Sequence, residues 1–411
     1  MNKYVFPVVD YPEIRLVSGK ASYVTDSNGK EYLDLNSGQF CASAGHSSDV
    51  LRSATNEFLN SLQDTHTGIL SRQTEECLKL LGTISDLPNP YSIFLSTGSE
   101  ATEFALRYAK HIKAKDGVIA FDLGYHGITH GAAAYSMSRR KIRPNLLKSY
   151  DIPAPLCKDF NNSHNYDYTE SYKALKNILE NQGHEIAAFI LEPIISGGGM
   201  YKIPDKFMKD AIELCHEYNV FVIFDECQTG SGRLGNWYSY SGKEFYPDFV
   251  ISGKSIGLGL PVSTVTANGD TVNVCSITME HFSSHQNEVF SAIIVKHFVN
   301  WIIRDNKFEH IISCGRLLLN ELQNSIGNKE TKPRGEGLML GFDLTQDPPS
   351  EKTKEKGNIF VSIGLEEGLL LQHCNYGRTI RILPNYNVTK QEIEEFNEKI
   401  KKIFVIYEKH N

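Results

Sequence analysis

The sequence predicts an α/β protein: a large domain on a mixed, mostly parallel sheet, joined to a small α+β domain assembled from both ends of the chain. Three observations predict it. From about residue 50 to 265, short apolar runs alternate with helical patterns, which places helices on both faces of a sheet. Five of those runs end on acids, hydroxyls, glycines or an amine, and open α/β sheets bind ligands beyond the carboxyl ends of their strands. At 411 residues the chain exceeds one small core, so two domains are the natural expectation.

The elements follow in order. Ala21–Val24 and Glu31–Leu35 flank a turn at Asp26-Ser27-Asn28-Gly29 and read as an antiparallel meander. Ser92–Leu95, Gly117–Phe121, Ala187–Leu191, Val220–Phe224 and Asp248–Ile251 read as the buried strands of the large sheet. Beyond about residue 305, helices such as Cys314–Ser325 mix with shorter strands, and an amphipathic helix over Thr389–Lys409 closes the chain. The expected division is residues 1–45 for the N-terminal part of the small domain, 46–304 for the large domain and 305–411 for the rest of the small one.

Bulk properties narrow the function. Hydrophobic content of 41% and charge of 22% describe an ordinary soluble globular chain. A net charge of −7 points away from nucleic acid and anionic membranes. The single basic cluster, Arg139-Arg140-Lys141 with Arg143, reads as a solvated loop. Eight cysteines without CxxC pairs read as reduced thiols, with no disulfide frame and no metal site. No run approaches ~20 apolar residues, and Met1-Asn2-Lys3 leads directly into Tyr4-Val5-Phe6-Pro7 without a signal segment. A cytoplasmic location is expected.

The chemistry begins at two strand exits. Phe221–Phe224 ends on Asp225, and Phe249–Ile251 leads into Ser252-Gly253-Lys254, the lysine standing 29 residues after the acid. A pyridoxal 5'-phosphate (PLP) enzyme needs both: a lysine to hold the cofactor as a Schiff base, and an acid to keep its pyridine nitrogen protonated. Taken singly, Asp225 reads as a solvated strand end and Lys254 as a surface lysine. Gly253-Lys254-Ser255 is also the ending of a nucleotide-binding P-loop, but that loop needs a glycine where Asp248 stands.

The surroundings support the cofactor. Leu95-Ser96-Thr97-Gly98-Ser99-Glu100-Ala101 ends a strand and opens a helix, where free backbone N–H groups bind phosphate. As a plain helix start, Thr97 and Glu100 fit a capping box. Asp122-Leu123-Gly124-Tyr125-His126-Gly127 offers an aromatic ring at another exit, or an exposed loop tyrosine. Glu192-Pro193-Ile194-Ile195-Ser196-Gly197-Gly198-Gly199 allows close backbone approach to a ligand, or makes a flexible turn.

Ser-Thr-Gly-Ser-Glu-Ala-Thr-Glu (96–103), Tyr-His-Gly (125–127), Glu-Pro (192–193), Asp-Glu-Cys-Gln-Thr-Gly-Ser-Gly-Arg (225–233), Pro-Asp (247–248) and Gly-Lys (253–254) together resemble the class III, or ω-type, aminotransferases of PLP fold type I, the aspartate aminotransferase-like fold. The resemblance runs from Tyr32-Leu33-Asp34 to Arg381-Ile382-Leu383-Pro384. It implies that Thr97, Gly98 and Ser99 bind the cofactor phosphate and that Tyr125, with His126 beside it, meets the ring. It further implies that Asp225 pairs with the pyridine nitrogen, Gln228 contacts the phenolic oxygen, and Lys254 is the Schiff-base lysine. Ser284 matches the hydroxyl residue that closes the neighbouring subunit's phosphate site, which implies a homodimer with active sites at its interface.

Within the family the chain is most similar to 2,2-dialkylglycine decarboxylase, through Ser37-Gly38-Gln39 before Gly45-His46, the segment Ile152-Pro153-Ala154-Pro155, and Ser284-His285. That likeness puts Gln39 near the substrate carboxylate and Arg381 in an ion pair with it. Three positions depart from the pattern: Tyr125 stands for tryptophan, Val289 for proline, and Gly197 for a serine that touches the scissile carboxylate. Glutamate-using relatives often carry a glutamate at that last position. Loss of the serine favours ordinary transamination between a small amino acid and a keto acid or aldehyde. Decarboxylation-dependent transamination is the alternative, isomerisation or racemisation a further one, and a non-catalytic PLP-binding protein a fourth.

Overall fold

The computed structural model describes residues 6, 8, 12–66, 68–137, 147–273, 279–326 and 332–410. The Arg139–Arg143 cluster and the first five residues lie outside this set. The N-terminal meander has three strands, one more than expected: β1 (Leu16–Lys20), β2 (Tyr23–Asp26) and β3 (Glu31–Asp34). Ala21 turns the chain between β1 and β2 at φ 51° and exchanges backbone hydrogen bonds with His46. The alternating pattern therefore starts at Tyr23, not at Ala21.

The large sheet contains the five expected strands and two more. In chain order these are β4 (Tyr91–Leu95), β5 (Gly117–Phe121), β6 (Ser149–Ile152) and β7 (Ile186–Leu191). A short hairpin of β8 (Ile194–Ile195) and β9 (Tyr201–Lys202) intervenes. β10 (Phe221–Asp225), β11 (Phe249–Ser252) and β12 (Ser263–Ala267) complete it. The order is β4-β12-β11-β10-β7-β5-β6. β12 is antiparallel to both its neighbours, and every other pairing is parallel. β4 thus runs with β11, and all five expected strands exit on one edge.

β12 is hard to read because Ser263-Thr264-Val265-Thr266-Ala267 is rich in hydroxyls, yet it is wholly buried. Its hydroxyls are used inside the sheet. Ser263 Oγ donates to the Thr97 carbonyl at 2.9 Å, and Thr266 shares a hydrogen bond with Ser92 at 2.8 Å. Helices on both faces cover apolar strands such as β7 and β10, which are buried along their full length.

The C-terminal part holds β13 (Arg334–Glu336), β14 (Met339–Asp343), β15 (Leu369–Leu370), β16 (Gln372–Cys374) and β17 (Thr379–Ile382). β15 adds to the N-terminal meander, parallel to β3, and the others form a sheet ordered β13-β14-β17-β16. The helix Val289–Arg304 is apolar nearly all round, as buried helices are. It packs in one continuous core with Leu33 and Leu35 from the start of the chain and Phe342, Phe360 and Phe396 from its end.

Candidate active site

The carboxyl edge of the large sheet opens on a cavity of about 710 Å³. Gln39, Thr97, Gly98, Ser99, Tyr125, His126, Gly197, Asp225, Gln228, Lys254 and Arg381 all line it. Ser284 does not. It is exposed, in the segment that precedes the helix Val289–Arg304.

Asp225 is the last residue of β10 and is 5% exposed. Its Oδ2 accepts a hydrogen bond from His126 Nδ1 at 2.9 Å, and its Oδ1 accepts from the Cys227 N–H at 3.2 Å. Burial alone would raise its carboxyl. The His126 hydrogen bond, the His126 charge and the Lys254 amine overcome that and hold it below its ordinary value. Lys254 follows β11 on the neighbouring strand exit and opens a short 3-10 turn with φ 48°. That left-handed backbone is uncommon for a residue with a side chain, and such conformations cluster at functional sites. The next residue, Ser255, meets the buried Arg233 guanidinium, which also donates to the Leu338 and Pro384 carbonyls. Arg233 therefore ties the lysine turn to the C-terminal part of the chain.

The helix Gly98–Lys113 points its first turn at the same cavity. Thr97 Oγ1 accepts from the Glu100 N–H at 3.3 Å, but the Glu100 carboxylate reaches back to the Ser96 N–H, so only half of the expected capping box forms. Ser99 Oγ accepts from the Ile128 N–H at 3.2 Å. Gly127 packs so closely here that a Cβ would lie 2.5 Å from Ser99 Oγ, and its φ is +126°. Only glycine fits that position.

Gln39 is held in place from below. Asp34 accepts from the Asn36 and Gly38 N–H groups at 2.9 and 2.7 Å, which shapes the turn that carries Gln39. Arg381 lies on β17, an interior strand and not the edge strand of a surface arginine, and is 7% exposed. Its guanidinium sits 4.6 Å from the Phe40 ring centroid, and Nη1 donates to Ser196 Oγ at 3.3 Å. Gly197 is open: among the described residues the only atom near a Cβ built on it is Tyr125 Cβ, at 3.8 Å. No backbone constraint demands glycine there.

Two residues that carry no role in the sequence reading are central. Glu192 is fully buried against the cavity and accepts from the Tyr125 N–H at 2.8 Å and the Ser196 N–H at 3.5 Å. Burial pushes its carboxyl up to about 7. The Glu-Pro pair pointed to it, but only the fold shows that it holds two loops at once. Cys227 fills the floor. Cβ atoms on Gly98 and Gly253 would lie 3.0 and 3.2 Å from its Sγ, and burial keeps the thiol protonated by pushing it well up.

The donor set fits PLP. A buried carboxylate, an amine one strand away and a helix N-terminus face one cavity. Gln228 Oε1, buried without a protein partner, offers a further polar contact. Fold and site together define a PLP enzyme of fold type I. The family description "Aminotransferase class-III" matches residues 7–404, and the chain belongs to that family, whose members use PLP to transfer amino groups. An uncharacterized aminotransferase of Schizosaccharomyces pombe is 31% identical, over 94% of this chain and 89% of its own. The acetylornithine aminotransferase of Bacillus anthracis is 27% identical, over 98% of both chains. Among solved structures, a Bacillus anthracis aminotransferase superposes with a TM-score of 0.90 at 23% identity, over 98% of this chain and 96% of that one.

Proposed function

We propose that this aminotransferase moves the amino group of a small amino acid to a keto acid or aldehyde, with Lys254 as both cofactor anchor and proton carrier. The observation that carries the reading is the joint placement of Lys254, Asp225 and Arg381 on one cavity. PLP, when bound, supplies an electron sink that stabilises negative charge on the substrate carbon. Asp225 would hold the proton of the pyridine nitrogen, with His126 behind it. Thr97, Gly98 and Ser99 would hold the phosphate, Tyr125 would cover the ring and Gln228 would meet its phenolic oxygen. Arg381 and Gln39 would orient the substrate carboxylate. That choice sets which bond at the substrate carbon is weakened. The Lys254 amine would then take the proton from that carbon.

Ser284, exposed and outside the cavity, would complete the phosphate site of a partner subunit in a homodimer. In this reading residues 1–45 and 305–411 form one small domain against a large domain of 46–304. The seven cysteines among the described residues are all free, which fits a reducing cytoplasm. No helix among the described residues is long and apolar enough to cross a membrane.

The likeness to 2,2-dialkylglycine decarboxylase supports a second reading, because Gln39 and Arg381 face the same cavity. The open space at Gly197 weighs against it, since nothing there grips a carboxylate about to leave. One experiment tests both. PLP-loaded enzyme is given a panel of amino acids with 2-oxo acids and aldehydes, and new amino compounds and released CO2 are measured. Amino transfer without CO2 is expected; stoichiometric CO2 would favour the second reading, and no transfer with any pair would overturn the first.

A further inference from the structure

We infer that Gln372 commits this site to carboxylate-bearing substrates in both halves of the reaction, by holding Arg381 with a neutral amide. The inference rests on the proposed role of Arg381 as the carboxylate clamp. Gln372 and Arg381 are directly paired across β16 and β17. Directly opposed residues of an antiparallel pair share a face, with Cβ atoms about 5 Å apart. Gln372 Oε1 accepts from Arg381 Nη2. On the other flank Arg381 pairs with Gly341, where a Cβ would lie 2.7 Å from Met200 Cγ. The position directly opposite on that strand therefore brings no side chain to the guanidinium.

Among the described residues every partner of the guanidinium is uncharged: the Gln372 amide, the Ser196 hydroxyl and the Phe40 ring, while Nε is buried without a partner. Among the described residues only two acids line the cavity, Glu192 and Asp225. Both are engaged elsewhere, Glu192 by the Tyr125 and Ser196 N–H groups and Asp225 by His126 and Cys227. A buried cation without an anion is costly, and the cost is relieved when a ligand brings the anion. An amide at 372 satisfies a donor and leaves the charge intact. A carboxylate at 372 would satisfy the same donor, cancel the charge and compete with the substrate. The site accordingly takes donors and acceptors that carry a carboxylate. Amines and aldehydes without one leave the charge uncompensated.

Gln372→Glu is the isosteric test: it keeps shape and acceptor and adds the charge, while the long Nε2–H contact to Gln39 Oε1 at 3.5 Å is lost in it and in the leucine variant alike. The probe is propionate, an unreactive monocarboxylate, binding to the PLP-loaded enzyme by calorimetry. Gln372→Glu should weaken propionate at least tenfold and raise KM for amino acids more than it lowers kcat, with a far smaller KM change for a simple primary amine. Gln372→Leu, which removes the hydrogen bond without adding charge, should weaken propionate several-fold less than the glutamate variant does. Propionate affinity within threefold of wild type in Gln372→Glu, or equal losses in the two variants, would overturn the inference. Arg381→Ala separates this from the reading beneath it. If Arg381→Ala binds propionate like wild type, the clamp itself is misassigned. If that variant loses propionate and Gln372→Glu does not, the role of Gln372 alone falls.

Discussion

His126 donates its Nδ1 proton to Asp225 Oδ2 across 2.9 Å, with both side chains buried and His126 Nε2 without a hydrogen-bond partner. The proton must sit on Nδ1, because the Asp225 carboxylate can only accept. The pair keeps a negative charge ionised where burial alone would neutralise it. Asp225→Asn should fold and retain some PLP but lose about 10²-fold or more in turnover, the scale for removing one charge from a preorganised site. Steady-state rates under saturating cofactor check this, and near-normal turnover would refute the role.

Lys254→Ala should abolish turnover and leave the fold unchanged by circular dichroism. The wild-type protein should be yellow, and borohydride should fix the cofactor to a peptide containing Lys254. A label on any other lysine would overturn the assignment.

Glu226, next to Asp225, accepts from the Ser239 N–H and from the Ser239 and Thr229 hydroxyls, and burial pushes its carboxyl up to about 7. An unfolded chain releases this proton in the ordinary carboxylate range. Between that range and about pH 7 the folded protein binds the extra proton, so its stability falls as pH rises. Glu226→Gln can keep these contacts by turning the Thr229 hydroxyl to accept. It should shrink the stability difference between pH 5 and pH 8 by at most ~3 kcal/mol. Chemical denaturation at the two pH values measures it, and an unchanged difference would show that Glu226 does not carry it.

Ile69, Leu70, Ile128 and Phe282 are all at least half exposed, an apolar excess that suits a covered face. Light scattering should therefore find a homodimer. Ser284→Ala should weaken PLP binding several-fold without altering the dimer. A fully active monomer would remove Ser284 from the site.

Much of the site was legible because its chemistry sits at strand ends. Asp225 and Lys254 each close an apolar run, and strand exits on one sheet edge must converge. The hidden residues are those whose partners are set by register. Nothing near Gln372 in the sequence indicates that it lies opposite Arg381, since their pairing depends on how β16 and β17 align. Glu192 shows as one motif acid, but its grip on both Tyr125 and Ser196 arises only when their loops meet. β12 escaped because buried hydroxyls look like surface ones until their cross-strand partners are known.

The pairing of β3 with β15 has a consequence for the life of the chain on the ribosome. Ser37 Oγ, two residues before Gln39, donates to the Leu383 carbonyl, 346 residues further on. At ordinary translation rates, roughly 20 to 70 s separate the emergence of those two residues. Until Leu369 emerges the meander has no fourth strand, and until Leu383 emerges the turn bearing Gln39 lacks its later partner. The cavity can close only once Arg381 has emerged, so a product terminated before it would carry the lysine and the acid but no complete pocket around them.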